Sequence, residues 1–267
     1  MMLKRYYQGE VFDVAGRNEI TVLIDRSCTA RAELGLNTWA PGHDGPPHQH
    51  EAKEQVFFVT AGTGTMRVGD ETFSVQPRDF IYVPAGVEHQ TIAAGPGPLQ
   101  CLLFNAFLNE DKEGHERTAA LPTTARCGKH IRDIFGVKIY EFGSNTTHLL
   151  LDRAEAERCE VTVVTWPAGN KGAMVSHSEK EQTFFVLEGS GKVTVDGETR
   201  PVTAGDVVFV PWKAPHTTEA GPEGPLIYLC LNSIVTEERE ATFQEMYDRV
   251  AAGRIARWKS GDVTVGE

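Results

Sequence analysis

The chain has 267 residues and a formal net charge of −11, with 40% hydrophobic and 24% charged residues. The acidic balance argues against a nucleic-acid partner or an anionic membrane surface, and no stretch approaches the ~18 consecutive apolar residues of a membrane span. Five widely spaced cysteines with no CxxC pair, and an N-terminus (MMLKRYYQGEVFDV) without an apolar run, predict reduced thiols and a cytoplasmic protein.

In chain order, the apolar segments are short and rich in β-branched and aromatic residues. They run TVLID (21–25), QVFFV (55–59), DFIYVP (79–84) and LQCLLF (99–104), then EVTVVTW (160–166) and DVVFVP (206–211). Gly, Asp or Pro bounds each of them, which predicts β-strands. VGDET (68–72) and VDGET (195–199) predict tight hairpin turns. Asn109 to Arg117 is a charged run, and Leu-Pro-Thr-Thr follows at 121–124, so residues 111–130 are expected to form a linker. A single helix is expected at about 237–254, where Phe243, Met246, Tyr247 and Val250 recur at helical spacing and would pack on a barrel exterior.

The chain is written twice. Gly9 aligns with Gly136 and Asn105 with Asn232 without a gap, and more than a third of the intervening positions are identical. HEAKEQVFFVTAGTG (50–64) matches HSEKEQTFFVLEGSG (177–191), and RDFIYVPAGVEH (78–89) matches GDVVFVPWKAPH (205–216). Asp25-Arg26 matches Asp152-Arg153. Features common to both copies point to structure, here an ion pair or a turn. Asp79 and Asp206 are expected to make the turn before the next strand. The resulting expectation is an all-β protein of two tandem domains: an N-terminal barrel over 1–110, the linker, and a C-terminal barrel with its helix over 131–267.

His48-Gln49-His50 places two imidazoles on one face of an extended segment. Gln55 follows five residues on, and His89 arrives after the Pro84-Ala85-Gly86 turn. Neutral imidazole is the commonest metal ligand, and three with one oxygen donor leave positions open for substrate. Phe57 shares the inward phase of Gln55. His43, in the loop PGHDGPP, is the one candidate acid or base, with an ordinary surface histidine as the alternative.

These motifs resemble those of the cupin superfamily, whose first motif carries HxH five residues after a glycine and whose second carries PxG-x2-H. Gly42, His48 and His50 fit the first, and Pro84, Gly86 and His89 fit the second. The resemblance implies two jelly-roll barrels, a bicupin, with metal at His48, His50, Gln55 and His89. The family's usual glutamate is replaced: counting back seven from Gly62, or from Gly189, reaches Gln55 and Gln182. The rival register uses Glu54, which the preferred one turns to solvent. A neutral amide leaves the full charge on a divalent metal (Fe, Mn, Zn, Ni or Co) and favours an anionic chelating substrate.

The ligand set resembles that of bicupin isomerases such as the bacilysin-pathway enzyme, and of some cupin polyketide cyclases and dioxygenases. It implies Lewis-acid chemistry of isomerase, lyase or cyclase type on a small organic acid or oxygen-rich ring. An iron-dependent dioxygenase and a non-catalytic small-molecule binder are the alternatives. In the second copy His50, Gln55 and His89 recur as His177, Gln182 and His216, but His48 becomes Val175, so a weaker second metal site is expected. Trp212, in place of Ala85, is expected to be core or barrel-rim packing, with a lid or a substrate platform as the alternatives. A homodimer is common for barrels of this look.

Overall fold

The computed structural model describes residues 1–5, 8–109, 131–133 and 137–262; the expected linker, 111–130, lies outside the described residues. The fold is all-β, with one α-helix among the described residues, towards the C-terminus. Each copy forms a large sheet facing a three-stranded one, and every strand pairing is antiparallel.

In the N-terminal unit the large sheet has the order Ile131–Asp133, Asp79–Val83, Lys53–Ala61, Leu99–Phe107, Ala32–Trp39, Asn18–Ile24, Glu10–Val14. The small sheet is Glu71–Val75, Gly64–Val68, His89–Ile92. Between the sheets lies an apolar core that includes Trp39, Phe57, Val59, Met66, Ile81 and Leu99. The C-terminal unit repeats this plan, with Lys180–Glu188 between Asp206–Val210 and Leu226–Ile234. Alternation along these strands sends one set of side chains between the two sheets, and on the central strands most side chains of the other face are buried as well.

The expected domain boundaries differ from the observed ones at both ends. Met2–Arg5 pairs with Asp206–Val210 and belongs with Val137–Glu267, whereas Ile131–Asp133 pairs with Asp79–Val83 and belongs with Tyr7–Gly136. Asp79–Val83 and Asp206–Val210 are equivalent strands of the repeat. Each would be an unpaired edge without the added strand, and an uncovered apolar edge is a hazard. Local periodicity cannot reveal a partner strand from so far along the chain.

The helix spans Phe243–Ser260, starting and ending six residues later than expected. Thr242 forms a capping box with Glu245, which fixes the start, and Gly261 in the left-handed conformation fixes the end. Phe243, Met246 and Val250 pack on Tyr140 and Phe142 as expected, but Phe243 and Met246 also reach an internal cavity. The hairpins turn at the expected places, Gly69-Asp70 and Asp196-Gly197. Asp79 and Asp206 cap their turns, accepting from Gln76 N at 2.8 Å and Thr203 N at 2.7 Å. Asp25 and Asp152 likewise make turns, while Arg153 is buried in ion pairs with Glu160 and Glu179.

Gly62 and Gly189 end the central strands with φ of 76° and 81°, in the region that side chains rarely adopt. A Cβ there would lie 2.1 Å from the Pro98 carbonyl oxygen, or 1.9 Å from that of Pro225. Gly16 has a similar φ of 69° but open space around it. Gly189→Ala should therefore destabilise the fold by about 2–4 kcal/mol, and Gly16→Ala by about 1 kcal/mol. Denaturant unfolding of both variants checks the difference.

Candidate metal centre

Three imidazoles meet in the N-terminal barrel. The ligating nitrogens of His48, His50 and His89 lie within 4.8 Å of one another, the only such cluster of His, Cys, Asp or Glu among the described residues. The ring centroids are 4.3 to 5.4 Å apart. The His48–His50 segment is not a regular strand. It is extended chain tied down by a backbone bridge, with His48 N to His89 O at 3.1 Å and His89 N to His48 O at 2.8 Å. Gly86 N donates to His50 O at 2.8 Å, so the PxG turn holds the second histidine from below.

The protonation pattern suits ligation. His48 Nδ1 lies 2.9 Å from Pro46 O, and His89 Nδ1 lies 3.2 Å from Val87 O. A carbonyl only accepts, so each Nδ1 carries the proton and each Nε2 keeps its lone pair. The buried Nε2 of His89 has no hydrogen-bond partner. Burial, aided by Lys53 and His48, lowers the pKa of His50 to about 3; burial and His48 lower that of His89 to about 3. Both are neutral at physiological pH.

Gln55 sits on the central strand Lys53–Ala61, opposite Val83 on one side and Asn105 on the other. Its Nε2 donates to Asn105 Oδ1 at 2.9 Å, and Asn105 Nδ2 donates to Glu33 Oε1 at 2.8 Å. That relay fixes the amide flip and leaves the buried Oε1 without a hydrogen-bond partner. A buried polar oxygen left unsatisfied is costly, and a cation would satisfy it. The donor set of three imidazoles and one amide oxygen thus fits a divalent transition metal.

Glu54 does not face solvent as expected. It is 2% exposed and takes a short hydrogen bond from the Tyr82 hydroxyl. Phe57 has the expected inward phase, with its ring 6.0 Å from that of His89. His43 is exposed and stands apart: its carbonyl accepts from Ala93 N, four residues along the strand from His89. At strand spacing this is about 13 Å from the His48–His89 bridge, so the backbone does not bring His43 to the imidazoles. The amino-acid sequence alone assigned no role to Asn105 or Glu33. Their signal was available: both recur in the second copy, as Asn232 and Glu160, in otherwise apolar strands.

The second barrel keeps the scaffold and changes the set. Val175 takes the bridge position of His48, opposite His216. His177 and His216 lie 5.2 Å apart, and Gln182 Nε2 donates to Asn232 Oδ1 at 2.7 Å, again leaving Oε1 without a partner. Burial lowers the pKa of His216 to about 4 and that of His177 strongly. Trp212 is 40% exposed at the rim, its indole donating to Ser178 O at 2.6 Å, so it is not core.

Two β-barrels built on one repeat, the first carrying a three-histidine cluster, define a double-barrel protein with a candidate metal site. The cupin domain family matches residues 35–105 and again 162–232, and the chain belongs to that family. An uncharacterized protein of Methanocaldococcus jannaschii is 38% identical over 64 residues, covering 24% of this chain and 51% of that protein. Dimethylsulfoniopropionate lyase DddW of Ruegeria pomeroyi is 32% identical over 84 residues, 31% of this chain and 55% of the lyase. The chain thus spans about half the length of these curated relatives.

Among solved structures, a formate complex of Lactobacillus farciminis oxalate decarboxylase superposes with a TM-score of 0.67 at 14% identity, covering 96% of this chain and 92% of that one. A Bacillus subtilis oxalate decarboxylase, described by its Mn(II) centres, gives a TM-score of 0.65 at 14% identity over 94% of this chain and 84% of that one. At that identity the likeness shows the fold alone.

The two registers for the fourth ligand make opposite predictions. Gln55→Leu should lower metal affinity by more than tenfold, and Asn105→Leu by about 10–100-fold through loss of the orienting bond. Glu54→Gln should leave affinity within a few-fold of wild type while lowering stability. Competitive chelator titration separates these outcomes.

Proposed function

We propose that the N-terminal barrel holds one divalent transition metal through His48, His50, Gln55 and His89, and acts on a small organic acid by Lewis-acid chemistry of the lyase, isomerase or cyclase type. The observation that carries this is the neutral donor set: three imidazoles within 4.8 Å and an amide oxygen with no other partner. When bound, the metal would polarise a substrate oxygen and stabilise enolate-like charge.

The residues supply the rest. Backbone bridging of His48 to His89 and the Gln55–Asn105–Glu33 relay preset the donor geometry before anything binds. No ligand carries negative charge, so the site retains the charge of the ion and selects an anionic partner. Phe57 lies edge-on to His89 and keeps that side of the site apolar. Among the chemistries open to this set, the DddW relative favours the lyase type and the oxalate decarboxylase neighbours favour a carboxylate substrate. The Mn(II) centres of the B. subtilis neighbour make manganese the first ion to test.

Metal-reconstituted protein should consume a member of a panel of small 2-oxo, hydroxy and dicarboxylic acids at the same rate with and without oxygen. His89→Ala should reduce that rate by at least 100-fold. Turnover only in air would replace the reading with a dioxygenase. Ligand-dependent thermal stabilisation without any chemical change would make the protein a binder.

A further inference from the structure

The second barrel contains a partly open cavity of about 120 Å³ whose walls include His177, Lys180, Gln182, His216 and Arg254. A larger cleft of about 670 Å³ beside the helix shares His177, Lys180, Met246 and Arg254 with it, so these residues stand between the cavity and the surface. Where the first barrel gathers a third imidazole, this one has Val175. It also has Arg254, supplied by the C-terminal helix that lies beyond the repeat and without a counterpart among the described residues of the first copy.

Among the residues that line the cavity, Lys180 and Arg254 face one carboxylate, Glu160. Lys180 Nζ is 2.9 Å from Glu160, Arg153 pairs with the same Glu160, and Arg153 is also 2.8 Å from Glu179. Those two cations and two anions balance. Arg254 forms no ion pair among the described residues; its guanidinium lies over the Phe142 ring at 5.2 Å and its buried Nε has no hydrogen-bond partner. Burial and the nearby Arg257 lower its pKa to about 10 against the opposing pull of Glu160, which leaves it charged at neutral pH. A cation held against a cavity repels a second cation and attracts an anion. The acceptors are also unspent: Gln182 Oε1 has no partner, and His216 keeps its Nε2 lone pair because Nδ1 faces Ala214 O at 3.0 Å.

We infer that the C-terminal barrel is a metal-free binding site for a small hydroxy- or amino-substituted carboxylate, its carboxylate held by Arg254 and its donor group by Gln182 and His216. It replaces the weaker metal site expected from the sequence, and it holds whether or not the N-terminal site carries metal. A cavity of 150 Å³ accommodates benzene, so about five heavy atoms fit here, the size of glycolate. Arg suits the role because its planar fork matches a carboxylate.

Glycolate binding by isothermal titration calorimetry tests this on the full chain, freed of metal and carrying His48→Ala so that the first barrel contributes nothing through an ion. One glycolate per chain should bind. Acetate, which offers Gln182 no donor, should bind at least fivefold more weakly. Arg254→Gln should weaken glycolate at least tenfold, and Arg254→Lys should recover part of the loss. Wild-type crystals soaked in glycolate locate the ligand independently of any variant. Unchanged affinity in Arg254→Gln, no binding in the metal-free protein, a second bound metal ion at His177, Gln182 and His216, or glycolate density confined to the N-terminal barrel would each overturn the assignment.

Discussion

Register on the central strand of each barrel is the constraint from which the site follows. Lys53–Ala61 lies between two antiparallel neighbours, with Gln55 opposite Val83 and Asn105. A slip of one residue would exchange Gln55 for Glu54, and Phe57 and Val59 for Val56 and Phe58, on the inner face of the strand. Polar bonds pin it on both faces: Gln55 to Asn105 inside, and the Tyr82 hydroxyl to Glu54 on the other side. The left-handed glycine that closes the strand sets its length. Once that strand is placed, Asp79–Val83 delivers the PxG turn, and the turn delivers His89 opposite His48.

The same frame, used twice, has diverged where divergence costs the fold least. The Gln–Asn–Glu relay is kept in both barrels and in each fixes the amide with its Oε1 free of other partners. Val175 sits at a bridge position outside the regular strands, so replacing an imidazole there leaves the sheet intact. The helix covers Tyr140 and Phe142 in the second copy and brings Arg254 to the cavity wall. One barrel is therefore arranged around a cluster of lone pairs and the other around a fixed positive charge.

Much of this was legible in the amino-acid sequence. The repeat revealed two β-barrels, since a shared period exposes every strand twice, and the HxH and PxG spacing singled out the three imidazoles that the structure brings together. What was not legible depends on contacts between distant segments. The exchange of Met2–Arg5 and Ile131–Asp133 between the repeats has no local period. Glu54 looked like a solvent-facing acid because only its partner, Tyr82, explains its burial. Arg254 lies among polar residues of an amphipathic helix, where an arginine ordinarily meets water. His43 fell near the motif in sequence, yet the antiparallel bridge carries it away along the strand.

The central claim is that the three-imidazole cluster of the first barrel is a metal centre and its counterpart in the second is not. Elemental analysis of protein purified without chelator, as wild type and as His48→Ala, tests it most directly. One equivalent of a divalent transition metal per chain in wild type, lost in His48→Ala, is the predicted result. No metal in wild type after reconstitution with each candidate ion, or an equivalent that survives His48→Ala, would contradict the account.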